Sequence, residues 1–228
     1  MGDRERVVFL FDVDNTLLDN DAVRADLDDH LVRTFGTQCR DGYFSVLEQH
    51  RETVGYVDYL DALQQYHLRF PRLMQLAGIA RFLLEYPFHE RLYPGALALV
   101  RECRKLGRPV VLTDGDVVFQ PRKVHRSGIA EAVDDHVLLY VHKEQSLDDV
   151  EQLYPADRYV LFDDKPRLVE AIKNHWEDRV TTIMPRQGHY ANDTAAVAAH
   201  RPADVVVERI ADGAALDLAA LATSPPRG

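Results

Sequence analysis

Cysteine is scarce in this chain: 228 residues hold only Cys39 and Cys103. The two lie far apart in segments that read as helices, which argues against a disulfide scaffold and for reduced thiols lodged in a core. Neither CxxC nor HExxH spacing occurs and the ten histidines are scattered, so no zinc pattern is present. Long hydrophobic runs are also missing. No segment approaches the roughly 20 apolar residues of a membrane span. The apolar run after the opening MGDRER is too short for a signal peptide, so a cytoplasmic protein is expected. Positive charge is in deficit, with 27 Lys and Arg against 37 Asp and Glu and a formal net charge of −10. That balance, without any long basic run, repels nucleic acid and anionic membranes alike.

What remains is ordinary globular material, 46% hydrophobic and 28% charged, long enough for one large domain or two modest ones. Six apolar runs read as buried strands: VVFLF at 7–11, PVVLT at 109–113, VLLYV at 137–141, YVLF at 159–162, VTTIM at 180–184 and DVVV at 204–207. None alternates with polar residues, the pattern of a parallel sheet covered on both faces. Helical patterns fall between them, as in Leu97, Val100, Cys103 and Leu106, or Leu168, Ile172 and Trp176. The repeated βα order predicts an α/β fold with a doubly wound, Rossmann-like parallel sheet.

Residues 19–92 break that order. They hold four helical stretches, marked by Val23, Leu27 and Leu31, then Tyr43, Leu47 and Val54, then Leu60, Leu63 and Phe70, and last Leu73, Leu76, Ala80 and Leu83. An all-helical cap domain at 19–92 is therefore expected, inserted into a core of residues 1–18 and 93–228, with YPG at 93–95 as the re-entry turn. The ATSPPRG tail reads as disordered.

The first strand runs into Asp12, Val13, Asp14, Asn15 and Thr16. On an extended backbone, side chains two apart share a side, so Asp12 and Asp14 emerge together at the strand's carboxyl end, where open α/β sheets bind ligands. The second strand runs into Thr113, Asp114, Gly115 and Asp116, and the fourth into Asp163 and Asp164. Parallel strands deliver all three clusters to one edge. Carboxylates converging there repel one another unless a cation neutralises them, and an all-oxygen set of ligands suits Mg²⁺. A carboxylate beside a bound cation can attack an electrophile, most simply a phosphoryl group, while its neighbour handles a proton.

The segments FDVDNTLLD, VVLTDGD, a lysine and VLFDDK, in that order, resemble the four motifs of the haloacid dehalogenase-like hydrolases over residues 6–210. The resemblance implies a phosphatase with Asp12 as the nucleophile that forms an aspartyl phosphate. Asp14 is implied as general acid and base, with its backbone carbonyl on the metal, and Thr113 and the amide of Asp114 as phosphoryl donors. Asp12, Asp14, Asp163 and Asp164 form the implied Mg²⁺ set. Thr16 is given a quieter task, fixing the loop after the first strand.

Three lysines compete for the third motif. Lys143 stands at a strand's carboxyl end, 20 residues before Asp163, and is preferred, although Glu144 follows it where many relatives carry proline. Lys165 adjoins the acidic pair as a supporting partner, and Lys123 reads as a solvated cation in mid-helix. MPRQGHYAND at 184–193 reads as a plain surface loop, with Arg186, His189 or Tyr190 as the residues that could reach the cleft. Specificity is assigned to the helical insertion, where Arg24, Arg51, Tyr56, His67 and Arg69 are unranked and most read as solvated.

The expected substrate is a small phosphorylated metabolite. The same residues serve a phosphomutase or phosphotransferase, for which only the acceptor differs. A 2-haloacid dehalogenase also uses an aspartate nucleophile but has no use for Asp14 or the acidic pair. A catalytically idle binding module would have no reason to keep the full oxygen set.

Overall fold

Each of the six apolar runs forms a strand. In the computed structural model, which describes residues 5–223, they are β1 (Glu5–Phe11), β2 (Arg108–Asp114), β3 (Val137–Tyr140), β4 (Ala156–Phe162), β5 (Val180–Pro185) and β6 (Val205–Val207). All pair in parallel, in the order β3-β2-β1-β4-β5-β6. The expected disordered tail lies, from residue 224 on, outside the described residues.

The lack of alternation in the runs has a direct cause. Val7, Phe9 and Phe11 of β1 face one apolar cluster, while Val8 and Leu10 face another, so both sides of the strand are buried. The second cluster is roofed by α8 (Leu147–Leu153) and α9 (Pro166–Trp176), where Trp176 stacks on Tyr159 at 4.1 Å. Each such large side chain taken from water contributes about 1.5–3 kcal/mol. On the other face α5 (Ala96–Arg104), α6 (Phe119–Arg126) and α7 (Ile129–Ala132) complete the layer.

Between β1 and α5 the chain makes four helices: α1 (Asn20–Phe35), α2 (Thr37–Val54), α3 (Tyr59–Arg69) and α4 (Leu73–Glu85). Asp19 caps α1 by accepting from the Ala22 amide at 2.9 Å, and Asp58 caps α3 through the amides of Leu60 and Asp61. Gly55 ends α2 in the left-handed conformation at φ +86°, open to glycine without strain. The chain enters and leaves this insertion through one antiparallel crossing: Leu18 bridges Leu92, the Asp19 amide donates to Arg91 O at 2.8 Å and the Tyr93 amide to Leu17 O at 3.0 Å.

The insertion shares its apolar core with the sheet layer. Tyr59 of α3 and Phe88 both pack on Phe119 of α6, at 5.0 and 5.4 Å between ring centres. Both cysteines are free and buried, as expected, and burial, with Glu102 adding to it, pushes the Cys103 thiol up to about 12. No helix among the described residues is long and apolar enough to cross a membrane.

Candidate active site

Strand register assembles the acidic edge. Phe11 pairs with Phe162 across β1 and β4, their rings stacked at 4.8 Å, so the next residues, Asp12 and Asp163, arrive side by side where the strand order reverses. The Asp12 amide donates to Phe162 O at 2.9 Å, and the Asp164 amide to Thr16 Oγ1 at 3.1 Å. Thr16 thus ties the loop after β1 to the acidic pair after β4, the fixing task expected of it.

Asp12, Asp163 and Asp164 are all buried, and each offers a carboxylate oxygen within 4.8 Å of the others. Lys143 stands among them: its Nζ lies 2.6 Å from Asp12 Oδ1 and 2.7 Å from Asp163 Oδ2, and it donates to Leu112 O at 3.2 Å. Burial alone would lower the pKa of this ammonium, but the carboxylates of Asp12 and Asp163 outweigh it and hold the group charged. Of the three lysines, then, Lys143 is the one that spans the acidic cluster.

One cation does not satisfy the set. Asp12 Oδ2 and both carboxylate oxygens of Asp164 are buried without a hydrogen-bond partner. Burial, and then Asp12 and Asp163, push the Asp164 carboxyl well above the usual range. Unpartnered buried acceptors of this kind are costly and call for a second cation. The donor set is all oxygen, so the residues present fit Mg²⁺.

Asp14 diverges from that cluster. It lines the cleft, and its Oδ1 lies 2.5 Å from Nζ of Lys123. Lys123 therefore departs from the solvated cation expected at mid-helix. It is 1% exposed, and also donates to Asn20 Oδ1 at 2.9 Å. Phe119, Gln120, Lys123 and Val124 form the inward face of α6, and the ammonium reaches the distant Asp14 across it.

Thr113, next to last in β2, accepts at its Oγ1 from Gln120 Nε2 at 2.8 Å. The Asp114 carboxylate accepts from the Lys143 amide at 2.7 Å, which links the second motif to the lysine, and burial raises its pKa. Lys165 stands at the cleft with its ammonium 5.7 Å from the ring centre of Tyr190.

The cleft, about 1010 Å³, runs between the insertion and the carboxyl edge of the sheet. Of the insertion residues considered, Arg24, Arg51 and Tyr56 line it, whereas His67 and Arg69 are exposed elsewhere. Arg24 and Arg51 share Glu48, at 2.7 and 3.3 Å, and Arg51 also donates to Tyr190 OH at 3.1 Å.

The loop after β5 is more than surface. His189 and Tyr190, in α10 (Gly188–Asn192), line the cleft, while Arg186 points to Glu208. Gly188, at φ +65°, lies so close against Asn15 that a Cβ would collide with its side chain, and His189 Nδ1 sits 2.7 Å from Asp21 Oδ1. Asn15, itself at φ 60°, accepts from the amides of Asn20 and Asp21. Sequence reasoning missed Asn15, Asn20 and Gln120; nothing local marks Gln120, which lies on a short, strongly polar helix and is buried against Thr113.

Over residues 7–175 the chain matches the haloacid dehalogenase-like hydrolase family. A structure described as a haloacid dehalogenase-like hydrolase from Burkholderia xenovorans LB400 shares 52% identity, covering 92% of this chain and 96% of that one, with a TM-score of 0.88. The L-2-haloacid dehalogenase of Xanthobacter autotrophicus is similar at 18% identity, over 90% of this chain and 95% of that one, with a TM-score of 0.58. CbbY from Rhodobacter sphaeroides, solved in complex with phosphate, is similar at 19% identity, over 92% and 99%, with a TM-score of 0.56. The last two are likenesses of fold. No curated protein matches the chain.

Proposed function

Because the chain belongs to the haloacid dehalogenase-like hydrolase family, we propose that it is a Mg²⁺-dependent phosphatase acting on a small phosphorylated metabolite. The observation that carries this reading is the division of labour among the carboxylates. Three are buried together with oxygens lacking partners, while Asp14 stands apart at the cleft on its own lysine. A dehalogenase attacking carbon has no use for either feature.

In this reading a carboxylate oxygen of Asp12 attacks phosphorus. The P–O(Asp) bond forms as the ester P–O bond breaks, and the leaving alcohol takes a proton from Asp14. Water then attacks the aspartyl phosphate, Asp14 takes the water's proton, and phosphate departs with Asp12 restored. Lys143 holds Asp12 Oδ1 and so fixes the direction of attack. Thr113 and the Asp114 amide receive the phosphoryl oxygens. Asp12, Asp163, Asp164 and the backbone carbonyl of Asp14 would hold Mg²⁺, which when bound offsets the charge of the acidic cluster and of the phosphoryl group.

The insertion at 19–92 serves as a cap over the core of 1–18 and 93–228. Its Arg24, Arg51 and Tyr56 border the cleft, whose size suits a small molecule rather than a folded protein or duplex nucleic acid. A phosphotransferase would use the same residues with a hydroxyl in place of water. The test is a panel of phosphorylated metabolites and sugar acceptors assayed with Mg²⁺. Release of inorganic phosphate into water supports the reading. Transfer to the acceptor favours the phosphotransferase, and halide release from a 2-haloacid without metal favours the dehalogenase.

A further inference from the structure

Two buried polar side chains, one helical turn apart on α6, reach two residues of the site that come from different strands. Gln120 is 3% exposed and Lys123 is 1% exposed. Gln120 Nε2 donates to Thr113 Oγ1 at 2.8 Å, and Lys123 Nζ lies 2.5 Å from Asp14 Oδ1. We propose that α6 is a positioning element of the site, in which Lys123 fixes the Asp14 carboxylate at the cleft and Gln120 fixes the Thr113 hydroxyl with its proton facing the substrate. The proposal rests on the reading of Asp14 as the proton-transfer group and Thr113 as a phosphoryl donor.

The geometry explains why both side chains are needed. Asp14 follows Asp12 by two residues on an extended chain, the spacing that would otherwise let its carboxylate turn toward the acidic cluster and the cation held there. A charge-assisted hydrogen bond from Lys123 holds it outside that cluster. The ammonium is itself fixed from the insertion, through Asn20 Oδ1 at 2.9 Å, so the acid's position depends on both halves of the chain.

Gln120 acts on direction rather than charge. A hydroxyl that accepts from an amide N–H keeps its own proton free to donate. The other acceptor near Thr113 Oγ1 is the Asp114 carbonyl at 3.4 Å, too long to hold the proton against a phosphoryl oxygen. Gly115, at φ +152°, lets Gln120 lie flat on this loop: a Cβ there would sit 2.9 Å from that of Gln120.

The test compares Lys123→Met, Lys123→Arg and Asn20→Ala on an alkyl phosphate and on 4-nitrophenyl phosphate, whose leaving group needs no protonation. Lys123→Met is expected to lose about 10²-fold on the alkyl ester and under about 10-fold on the aryl ester. Lys123→Arg should recover part of the difference, and Asn20→Ala should shift the ratio the same way by a smaller factor. Equal losses on both esters in Lys123→Met, or in Asn20→Ala where Lys123→Met does not fold, overturn the role of Lys123. Gln120→Leu should weaken inhibition by inorganic phosphate about 10-fold, and unchanged inhibition overturns the role of Gln120. A crystal structure of Lys123→Met gives a readout independent of turnover: a displaced Asp14 carboxylate supports the proposal and an unmoved one refutes it. If the unaltered protein hydrolyses no phosphate ester, the functional reading fails, while that structure still decides the positioning.

Discussion

The Lys143 ammonium lies 2.6 Å from Asp12 Oδ1 although 131 residues separate the two in the chain. It is fully buried, so its charge is balanced by Asp12 and Asp163 and by nothing in solvent. Lys143→Ala should therefore damage activity and stability together. We expect at least about a 10²-fold loss of kcat/KM and about 3–5 kcal/mol of destabilisation from the carboxylates left unpaired. Added Mg²⁺ should restore part of the stability and none of the activity. Lys165→Ala, beside the cluster at the cleft, should cost less than Lys143→Ala in a side-by-side assay; the reverse order would move the third-motif role to Lys165.

Asp12→Asn keeps the size of the side chain and removes the attacking carboxylate. Phosphate release should fall to background while the far-ultraviolet spectrum stays native. Asp14→Asn should retain the nucleophile and lose roughly 10²- to 10⁴-fold on unactivated esters, with less loss on aryl phosphates. Normal turnover by Asp12→Asn would end the proposed mechanism.

The unpartnered oxygens of Asp164 predict opposite effects with and without metal. Asp164→Asn removes the charge that burial, Asp12 and Asp163 make costly, so the metal-free variant should melt higher than the parent. The same change should abolish the gain from Mg²⁺. In the parent, that gain should reach about 2.7 kcal/mol at a hundredfold excess over Kd, or roughly 5–10 °C. Melting curves with Mg²⁺ and with EDTA measure both, and an unchanged metal response in Asp164→Asn would remove this residue from the ligand set.

Much of this site is legible in the sequence because its determinants are local. Each strand is a short apolar run, Asp12 and Asp163 directly follow β1 and β4, Thr113 lies in the last two residues of β2, and Lys143 comes three residues after β3. Lys123 and Gln120 are not legible that way. On a short, strongly polar helix they look like surface residues, and their burial depends on Asp14, 109 residues away, and on Thr113. The loop of His189 and Tyr190 is hidden for the same reason. Its place at the cleft comes from Gly188 against Asn15 and from the contact of His189 with Asp21, 168 residues distant.

Asp26, Tyr86 and Arg91 clasp the base of the insertion. Arg91 Nη2 lies 2.5 Å from Asp26 Oδ2, and Tyr86 OH donates to the same oxygen. Burial alone would raise the Asp26 pKa, but hydrogen bonds from Tyr86 and Arg91 hold it below the ordinary 3.8. The folded state thus binds this proton less readily than the unfolded one. The clasp's contribution is complete above about pH 5 and is lost as pH falls through the folded pKa. Asp26→Asn should lower stability at pH 7 by under about 1 kcal/mol, since the group is a third exposed. The gap between parent and variant should close as pH falls below about 4, and a gap unchanged by acid would count against the clasp.

The insertion should open and close on one side only. Toward α6 it is tied by the rings of Tyr59, Phe88 and Phe119 and by Arg126, which donates to Leu84 O at 3.3 Å and Glu85 O at 3.2 Å. Across the cleft the ties are polar and partly exposed: Arg51 on Tyr190 at 3.1 Å, His189 on Asp21 at 2.7 Å, and His142 against Gly55. Motion about the crossing of Leu18 and Leu92 should therefore widen the Arg51 side while the aromatic side stays packed. Closure would exclude water before phosphoryl transfer, as lids do in many enzymes. Both native thiols are buried, so labels placed at Glu52→Cys and Thr194→Cys would report this gap alone. With Mg²⁺ and a metal fluoride the distance should shorten and narrow, and Arg51→Ala should broaden it without ligand. A distance insensitive to both changes would mean that the shared apolar core holds the insertion rigid, and substrate would then enter through an open cleft.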